Sequence, residues 1–539
     1  MRKKLFTTMA ILTVASVMIT GCSSSNAGTT ETTKVQETTT EAQETTVKTE
    51  ETSQTVEEKD AEYYYELGRS YLYGTDGNEM DLEAAYNNFI QAEVLGKNDA
   101  NFYLGALYDW YNYPEQNYDT ARTYYEACED NPYAQISLAM FYLYGEGYEK
   151  EEEKGKEMLQ SAIESGYVEG YLGLAYIARD EEDYTTAFEY YSRVLDGTEQ
   201  MFINIAMYNI GRMYYKGNGM EQDYAEALRW FERAAEAGEY DAMYYIGYMH
   251  YYGEGVEQDY AEAMKWFEKA AGYGDDYSMY FIGKMYYCGE GVEQDYTKAM
   301  DWFVKAAEAG YSSAMNDIGY MYRHGEGVEQ DITKAFEWYE KAAEAGNSTA
   351  MFNIAYLYDN GDGVEQDYAK ATEWYEKAAE AGNSTAMKKV ADMYYGGYGV
   401  EMDYTKALEW YTKAAETGDA DAAYWVGLMY YNGEGVQQDY DIALNWLIKA
   451  GELGSVDGMR NVAAFYYNAQ NYNEAMLWCE KAAEAGDGKS TFIIGIMYYK
   501  GQGVEQDYSE ALEWFEKAIE LGNEDAIKYA ENARNKLEQ

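Results

Sequence analysis

From Ala61 onward, apolar residues recur at helical spacing in two alternating registers. In residues 240–275, YDAMYYIGYMHYYGEGVEQDYAEAMKWFEKAAGYGD, the side chains of Met243, Ile246 and Met249 mark one face of a first helix over Ala242–Tyr252. The pattern stops at Gly253-Glu254-Gly255, where glycine takes the positive φ that other residues avoid. Val256 then re-enters the core. Asp259 stands where an N-cap belongs, with Glu262 at capping-box spacing. A second helix follows. Tyr260, Ala263, Trp266, Phe267, Ala270 and Ala271 form one broad apolar stripe on it, and the paired alanines let a neighbouring helix come close.

The pattern repeats. Trp230, Trp266, Trp302, Trp338, Trp374, Trp410 and Trp446 are 36 residues apart; the next step, to Trp478, is 32, and the last, to Trp514, is again 36. Glycine pairs such as Gly217/Gly219 and Gly253/Gly255, and the helix-ending Gly238, Gly274 and Gly310, keep the same period. Fixed self-similarity of this length predicts stacked helix pairs, none able to bury its apolar face alone. Counting the small residue of each first helix, from Gly68 to Gly495, gives 13 units. Residues 205–522 are regular. Residues 60–204 read as divergent repeats, irregularly spaced, without the second-helix tryptophans and holding Pro114 and Pro132. Residues 523–539 read as a polar capping helix. Tryptophan at this interval is expected in the core.

The runs IGYMHYYGEGVEQDYAEAMKWFEKAAGYG (Ile246–Gly274) and IGYMYRHGEGVEQDITKAFEWYEKAAEAG (Ile318–Gly346) resemble the Sel-1-like repeat family, a relative of the tetratricopeptide class. The resemblance is strong over 205–522 and weaker over 61–204. It implies an all-α fold, a right-handed α/α superhelical solenoid of about 13 helix-pair repeats, acting as an adaptor or peptide-binding scaffold.

The N-terminus has a different character. Arg2, Lys3 and Lys4 precede an apolar stretch, Leu5–Ile19, too short to span a membrane comfortably, so residues 1–21 read as a signal peptide. Ile19-Thr20-Gly21-Cys22 resembles the bacterial lipobox. The resemblance implies lipidation of Cys22 and an anchor on the extracytoplasmic face of the cell membrane. Residues 22–59, rich in Thr and Glu, contain no aromatic residue, Leu or Ile and are expected to form a disordered tether.

Charge narrows the partners. The formal net charge is −56, which repels nucleic acid and favours a basic protein or peptide. On the first helix, positions −2, +1 and +5 from the small residue vary freely and share one face. By analogy with tetratricopeptide solenoids, that face lines a concave groove. Its candidate binding residues are Arg212, Tyr245, Tyr248, Phe281, Lys284, Tyr320, His324, Tyr356, Lys389 and Trp425, aromatics with a few cations. The same aromatics suit cell-wall glycan, and several could instead pack between adjacent first helices. Hydrolysis of peptidoglycan or β-lactams is a third reading, because a cysteine-rich branch of the family has been linked to penicillin binding. That branch has two cysteines per repeat, whereas Cys128, Cys288 and Cys479 stand one each in distant units. With two histidines in the chain, no metal site, cofactor or catalytic constellation is expected.

Overall fold

The computed structural model describes residues 59–78, 80–110 and 116–538. The signal-peptide, Cys22 and tether expectations, and Pro114, lie outside the described residues. The described residues form α-helices, one short 3-10 turn and loops. They divide into two compact units, one ending at Asp295 and the other starting at Tyr296.

The regular repeat is built as its sequence predicts. In the first unit, α11 (Tyr240–Tyr252) and α12 (Tyr260–Gly272) form one pair. Ile246 and Met249 of α11 and Phe267 of α12 are fully buried between them. The turn between them rests on Gly253, at φ 73°, whose N–H donates to Met249 O. Asp259 caps α12, its Oδ1 accepting the Ala261 and Glu262 N–H groups at 2.9 and 3.0 Å. The expected reciprocal half of the capping box is absent. The Glu262 carboxylate binds Lys265 at 2.6 Å, while the Asp259 N–H donates to His250 O at 2.9 Å. A cation one turn further along outcompetes a donor that the backbone already satisfies.

Close packing explains the small residue of each first helix. A Cβ at Gly247 would stand 2.8 Å from two ring carbons of Phe267. Phe267 belongs to the column just after each tryptophan. Phe231, Phe267, Tyr339, Tyr375 and Phe515 of that column are fully buried.

The tryptophans themselves depart from the core expectation. Apart from Trp478, which is buried, they are half-buried. One face lies on the core and the other is covered by a cation three residues on. Lys305 Nζ lies 3.8 Å from the Trp302 ring centre, Lys413 3.8 Å from Trp410 and Arg233 4.3 Å from Trp230. A large ring at the edge of the apolar stripe is shielded more cheaply by a cation and its alkyl stem than by another helix. Trp478 enters the core because Gly451 replaces the usual alanine, leaving room its ring would otherwise contest.

In the first unit, the irregular stretch closes on itself. α9 is long, Gln200–Lys216. Glu199 at its start is buried and accepts hydroxyls from Tyr73, on α1 (Ala61–Tyr73), at 2.9 Å and from Tyr103, on α3 (Ala100–Asp109), at 3.0 Å. Glu169 beside it, also buried, accepts the Thr198 and Glu199 N–H groups. Phe102 and Phe202 stack at 6.4 Å in the same region. These contacts tie α1 and α3 to the start of α9.

In the second unit, α14 (Tyr296–Glu308) to α26 (Tyr508–Glu520) continue the regular pattern. α27 (Asp525–Leu537) follows with a narrow apolar face, Ala526, Ala530 and Ala533, and a polar remainder. Such a helix suits the end of an array.

Candidate functional site

Where position −2 of the first helix is aromatic, packing takes it up. Tyr245 stacks on Phe231 at 4.8 Å, Phe281 on Phe267 at 5.1 Å and Trp425 on Tyr411 at 5.9 Å. Each aromatic lies flat against the buried ring of the preceding pair, and Phe281 is only 5% exposed. These three therefore fill the seam between units, the alternative raised for the groove aromatics.

Positions +1 and +5 have a different environment. In the first unit, Tyr248 and Tyr252 lie one turn apart with ring centres 4.5 Å apart, and Tyr252 is 36% exposed. Burial and neighbouring carboxylates push the Tyr252 hydroxyl up to about 12. It is therefore a neutral donor at ordinary pH. Lys284 Nζ lies 5.6 Å from the Tyr251 ring centre and 5.8 Å from Phe281. Arg212 is half-buried over Tyr208 at 5.6 Å.

In the second unit, Tyr320 and His324 pair on α15 (Ser312–His324), ring centres 4.2 Å apart, with His324 exposed. Tyr356, 37% exposed, receives the Arg323 guanidinium at 4.6 Å. Lys389 lies half-buried on α19 (Ser384–Gly396), in the charge field of Asp392, whose carboxyl burial pushes up.

Position +4 carries a ladder that the sequence reading passed over. Tyr215 donates its hydroxyl to Glu254 at 2.6 Å, Tyr251 to Glu290, and Tyr395 to Glu434 at 3.1 Å. Arg323 reaches Asp362 at 3.0 Å in the same way. Each acceptor lies between the two loop glycines of the following repeat. A second ladder closes most of the regular first helices. Gln222, Gln258 and Gln438 donate Nε2 to the carbonyls of Tyr215, Tyr251 and Tyr431 at 2.7–2.8 Å. The repeated +4 tyrosine and the glutamine before most Asp caps of the regular repeats are the sequence signals for both.

Cys128 and Cys479 are buried, and burial pushes both thiols up to about 12, so neither is a ready nucleophile. Among the described residues, no group of three or more His, Cys, Asp or Glu side chains is placed to hold a metal ion. No described helix is long and apolar enough to cross a membrane.

The Sel1 repeat model matches eleven stretches, residues 61–93, 132–167, 204–239, 241–272, 276–311, 312–347, 348–383, 384–419, 420–455, 456–487 and 489–523. The chain belongs to the Sel1 repeat family. The intervals 94–131 and 168–203, within the divergent section, are not matched. Among solved structures, the chain is similar to a protective antigen present in uropathogenic Escherichia coli strains displaying an SLR fold, with 30% identity, 84% of this chain and 90% of that one covered, and a TM-score of 0.45. It is also similar to a Sel1 repeat protein from Oxalobacter formigenes, with 28% identity, 60% and 92% covered, and a TM-score of 0.43. The Helicobacter pylori cysteine rich protein B matches 25% of this chain and 96% of its own at 30% identity, with a TM-score of 0.20. As an all-α superhelical solenoid of Sel1 repeats, the chain is a scaffold of the type that mediates protein–protein interaction. Sel1 repeat proteins are generally non-catalytic scaffolds.

Proposed function

We propose that this Sel1 repeat protein is a scaffold, lipid-anchored through Cys22 on the extracytoplasmic face of a bacterial membrane, that binds a basic protein or peptide along its first helices. The observation that carries the binding reading is the division of labour within those helices. The aromatics at position −2 pack the seam and position +4 ties successive repeats, while +1 and +5 present partly exposed aromatics, Tyr248/Tyr252 in the first unit and Tyr320/His324 and Tyr356 in the second. Rigid amphipathic rings lose little entropy on docking and are frequent energetic anchors of interfaces. The −56 charge supplies long-range attraction for a cationic partner. The anchor reading rests on the n-region, the apolar stretch and Ile19-Thr20-Gly21-Cys22.

The binding test is pull-down from a membrane extract with Tyr252→Ala and Tyr356→Ala combined. Capture should fall while helical content stays unchanged, and binding should weaken as salt rises. Capture that persists undiminished would remove the first-helix face. Capture insensitive to salt and competed by neutral saccharide would replace the peptide reading with a glycan one. For the anchor, Cys22→Ala should move the protein from the membrane to the soluble fraction, and retention on the membrane would refute lipid attachment there.

A further inference from the structure

In the second unit, three columns that are polar in the other regular repeats turn apolar on one edge. Where a loop has its glycine pair, the residue between the glycines is Asn, Asp, Glu or Gln, as in Glu254 and Asp362, except at Tyr398. The residue before the Asp cap is glutamine, as in Gln258, except at Met402. The third residue of the second helix is Glu or Lys, as in Glu262 and Lys370, except at Ile442. All three are exposed, Tyr398 by 56% and Met402 by 55%. The fold holds the Tyr398 ring outward. A Cβ at Gly396 would overlap that ring, and the hydroxyl of buried Thr372, in a column otherwise apolar, lies 3.2 Å from Tyr398 O. The Tyr398 ring centre is 6.1 Å from that of Tyr368, also exposed.

The shortened turn uncovers the neighbouring part of this edge. In regular loops the second glycine sits on the start of the preceding second helix; a Cβ at Gly435 would stand 2.5 Å from Tyr404 O. The turn Ala469-Gln470-Asn471 has no glycine pair and brings no such loop to the start of α22 (Tyr440–Glu452). Tyr440 and Tyr431 are exposed there, with ring centres 5.2 Å apart. Tyr431, in column +4, lacks the loop acceptor that Tyr395 finds in Glu434 at 3.1 Å. Half-buried Tyr404 joins the two groups: Met402 is two residues before it, and Gly435, in the loop between Tyr431 and Tyr440, packs on its carbonyl.

Six large apolar side chains, each about half exposed, present roughly 500 Å². A contiguous apolar patch of that size marks an interaction site. It falls short of the ~800 Å² per partner that a stable protein–protein interface takes, so it suits a short segment better than a second copy of the chain. Exposed Glu365 and Glu401 lie in the same loops, and exposed Asp441 between Tyr440 and Ile442. We propose that Tyr368, Tyr398, Met402, Tyr431, Tyr440 and Ile442 form a docking edge for a short segment of another protein that carries apolar side chains among Lys or Arg. The apolar side chains supply the contact and the carboxylates select the charge. The edge goes beyond the proposed function, since it lies outside columns +1 and +5 and does not need them.

The test is fluorescence anisotropy of short labelled peptides with the full chain at physiological salt. A peptide of alternating Leu and Lys should bind saturably, and Ser–Lys and Leu–Glu peptides at least about tenfold more weakly. Tyr398→Glu, Met402→Gln and Ile442→Glu combined restore residues that equivalent columns already carry, so circular dichroism should not change. This triple variant should bind the Leu–Lys peptide about tenfold more weakly. Charge alone predicts the opposite, because the variant gains two negative charges. Tyr252→Ala with Tyr356→Ala should leave this binding unchanged, which separates the edge from the first-helix face. The proposal is overturned by Leu–Lys binding that is absent, equalled by Ser–Lys, undiminished in the triple variant or lost in the Tyr252/Tyr356 variant. Light scattering that shows a dimer for the native chain and a monomer for the triple variant would overturn it too, in favour of a second copy.

Discussion

Gly247→Ala and Gly272→Ala are the same chemical change on neighbouring helices and are expected to have opposite effects. In both cases alanine is the better helix former, by up to about 1 kcal/mol, and somewhat less at Gly272, the last residue of α12. The surroundings differ. A Cβ at 272 meets nothing within 4 Å, whereas a Cβ at 247 lies 2.8 Å from Cδ1 and Cε1 of Phe267. The Phe267 ring cannot swing aside, because it is fully buried and stacked on Phe281 at 5.1 Å. Overpacking of this kind costs roughly 1–3 kcal/mol. Gly272→Ala should therefore be mildly stabilising and Gly247→Ala destabilising, the two separated by roughly 1–3 kcal/mol, the packing term alone. Urea unfolding followed by circular dichroism measures the separation. Hydrogen exchange adds a spatial check, since in a stacked array the lost protection should centre on α11 and α12. Equal effects from the two substitutions, or protection lost evenly along the chain, would refute the reasoning.

Three further outcomes follow from specific contacts. Tyr251→Phe removes a buried hydroxyl from Glu290 and should cost about 1–2 kcal/mol in urea unfolding, while Tyr252→Phe, at an exposed ring, should cost much less. Asp487 is held below the ordinary aspartate range. Burial opposes this, but Arg460 and the Ser490 hydroxyl and N–H outweigh it. Its folded value is the lower one, so its contribution is complete above the unfolded value near 3.8 and lost as pH falls through the folded value. Acid titration of stability should show this loss in the native chain and less of it in Asp487→Asn. Gln470, at φ 61°, forms the shortened turn before α24 (Tyr472–Glu484) in a conformation that glycine takes at no steric cost. Gln470→Gly should raise the unfolding midpoint, with a gain of order 1 kcal/mol; a lowered midpoint would show that the Gln side chain holds the turn.

The regular repeats were legible because their signals agree at every level. Period, capping aspartates and glycines each mark the same boundaries, and observed α11 differs from the expected helix by two residues at its start. The half-burial of the tryptophans was not legible, because hydrophobic periodicity cannot distinguish a ring fully in the core from one at its edge, and a lysine stands three residues on from the buried Trp478 as well as from the half-buried Trp302. The closure at Glu199 was not legible. It joins Tyr73 and Tyr103 to a residue 126 and 96 positions away, in the section with no fixed period to extrapolate. Three of the ten candidate groove residues suffered from a geometric ambiguity. Positions −2, +1 and +5 share a helix face, yet −2 is turned far enough toward the preceding pair for Tyr245 and Phe281 to be captured there.

In a repeat array, this separation has a functional consequence. Columns that keep a large buried side chain in most units, such as the residue after each tryptophan, aromatic except at Leu447 and Cys479, do the same packing task each time, so no single member is available for recognition without weakening its own seam. Binding specificity has to come from columns free to vary. Arg212 with Lys216, Tyr248 with Tyr252, and Tyr320 with His324 all fall in columns +1 and +5 of successive first helices, and each pair differs in charge or hydrogen-bonding capacity. A ligand lying along either unit would therefore meet a changing series of chemical groups on a constant backbone. Under the proposed function, a chain of net charge −56 would draw in a basic partner from beyond about 10 Å, the screening length in 0.1 M salt, and would discriminate among such partners only within it, where the varying columns are met.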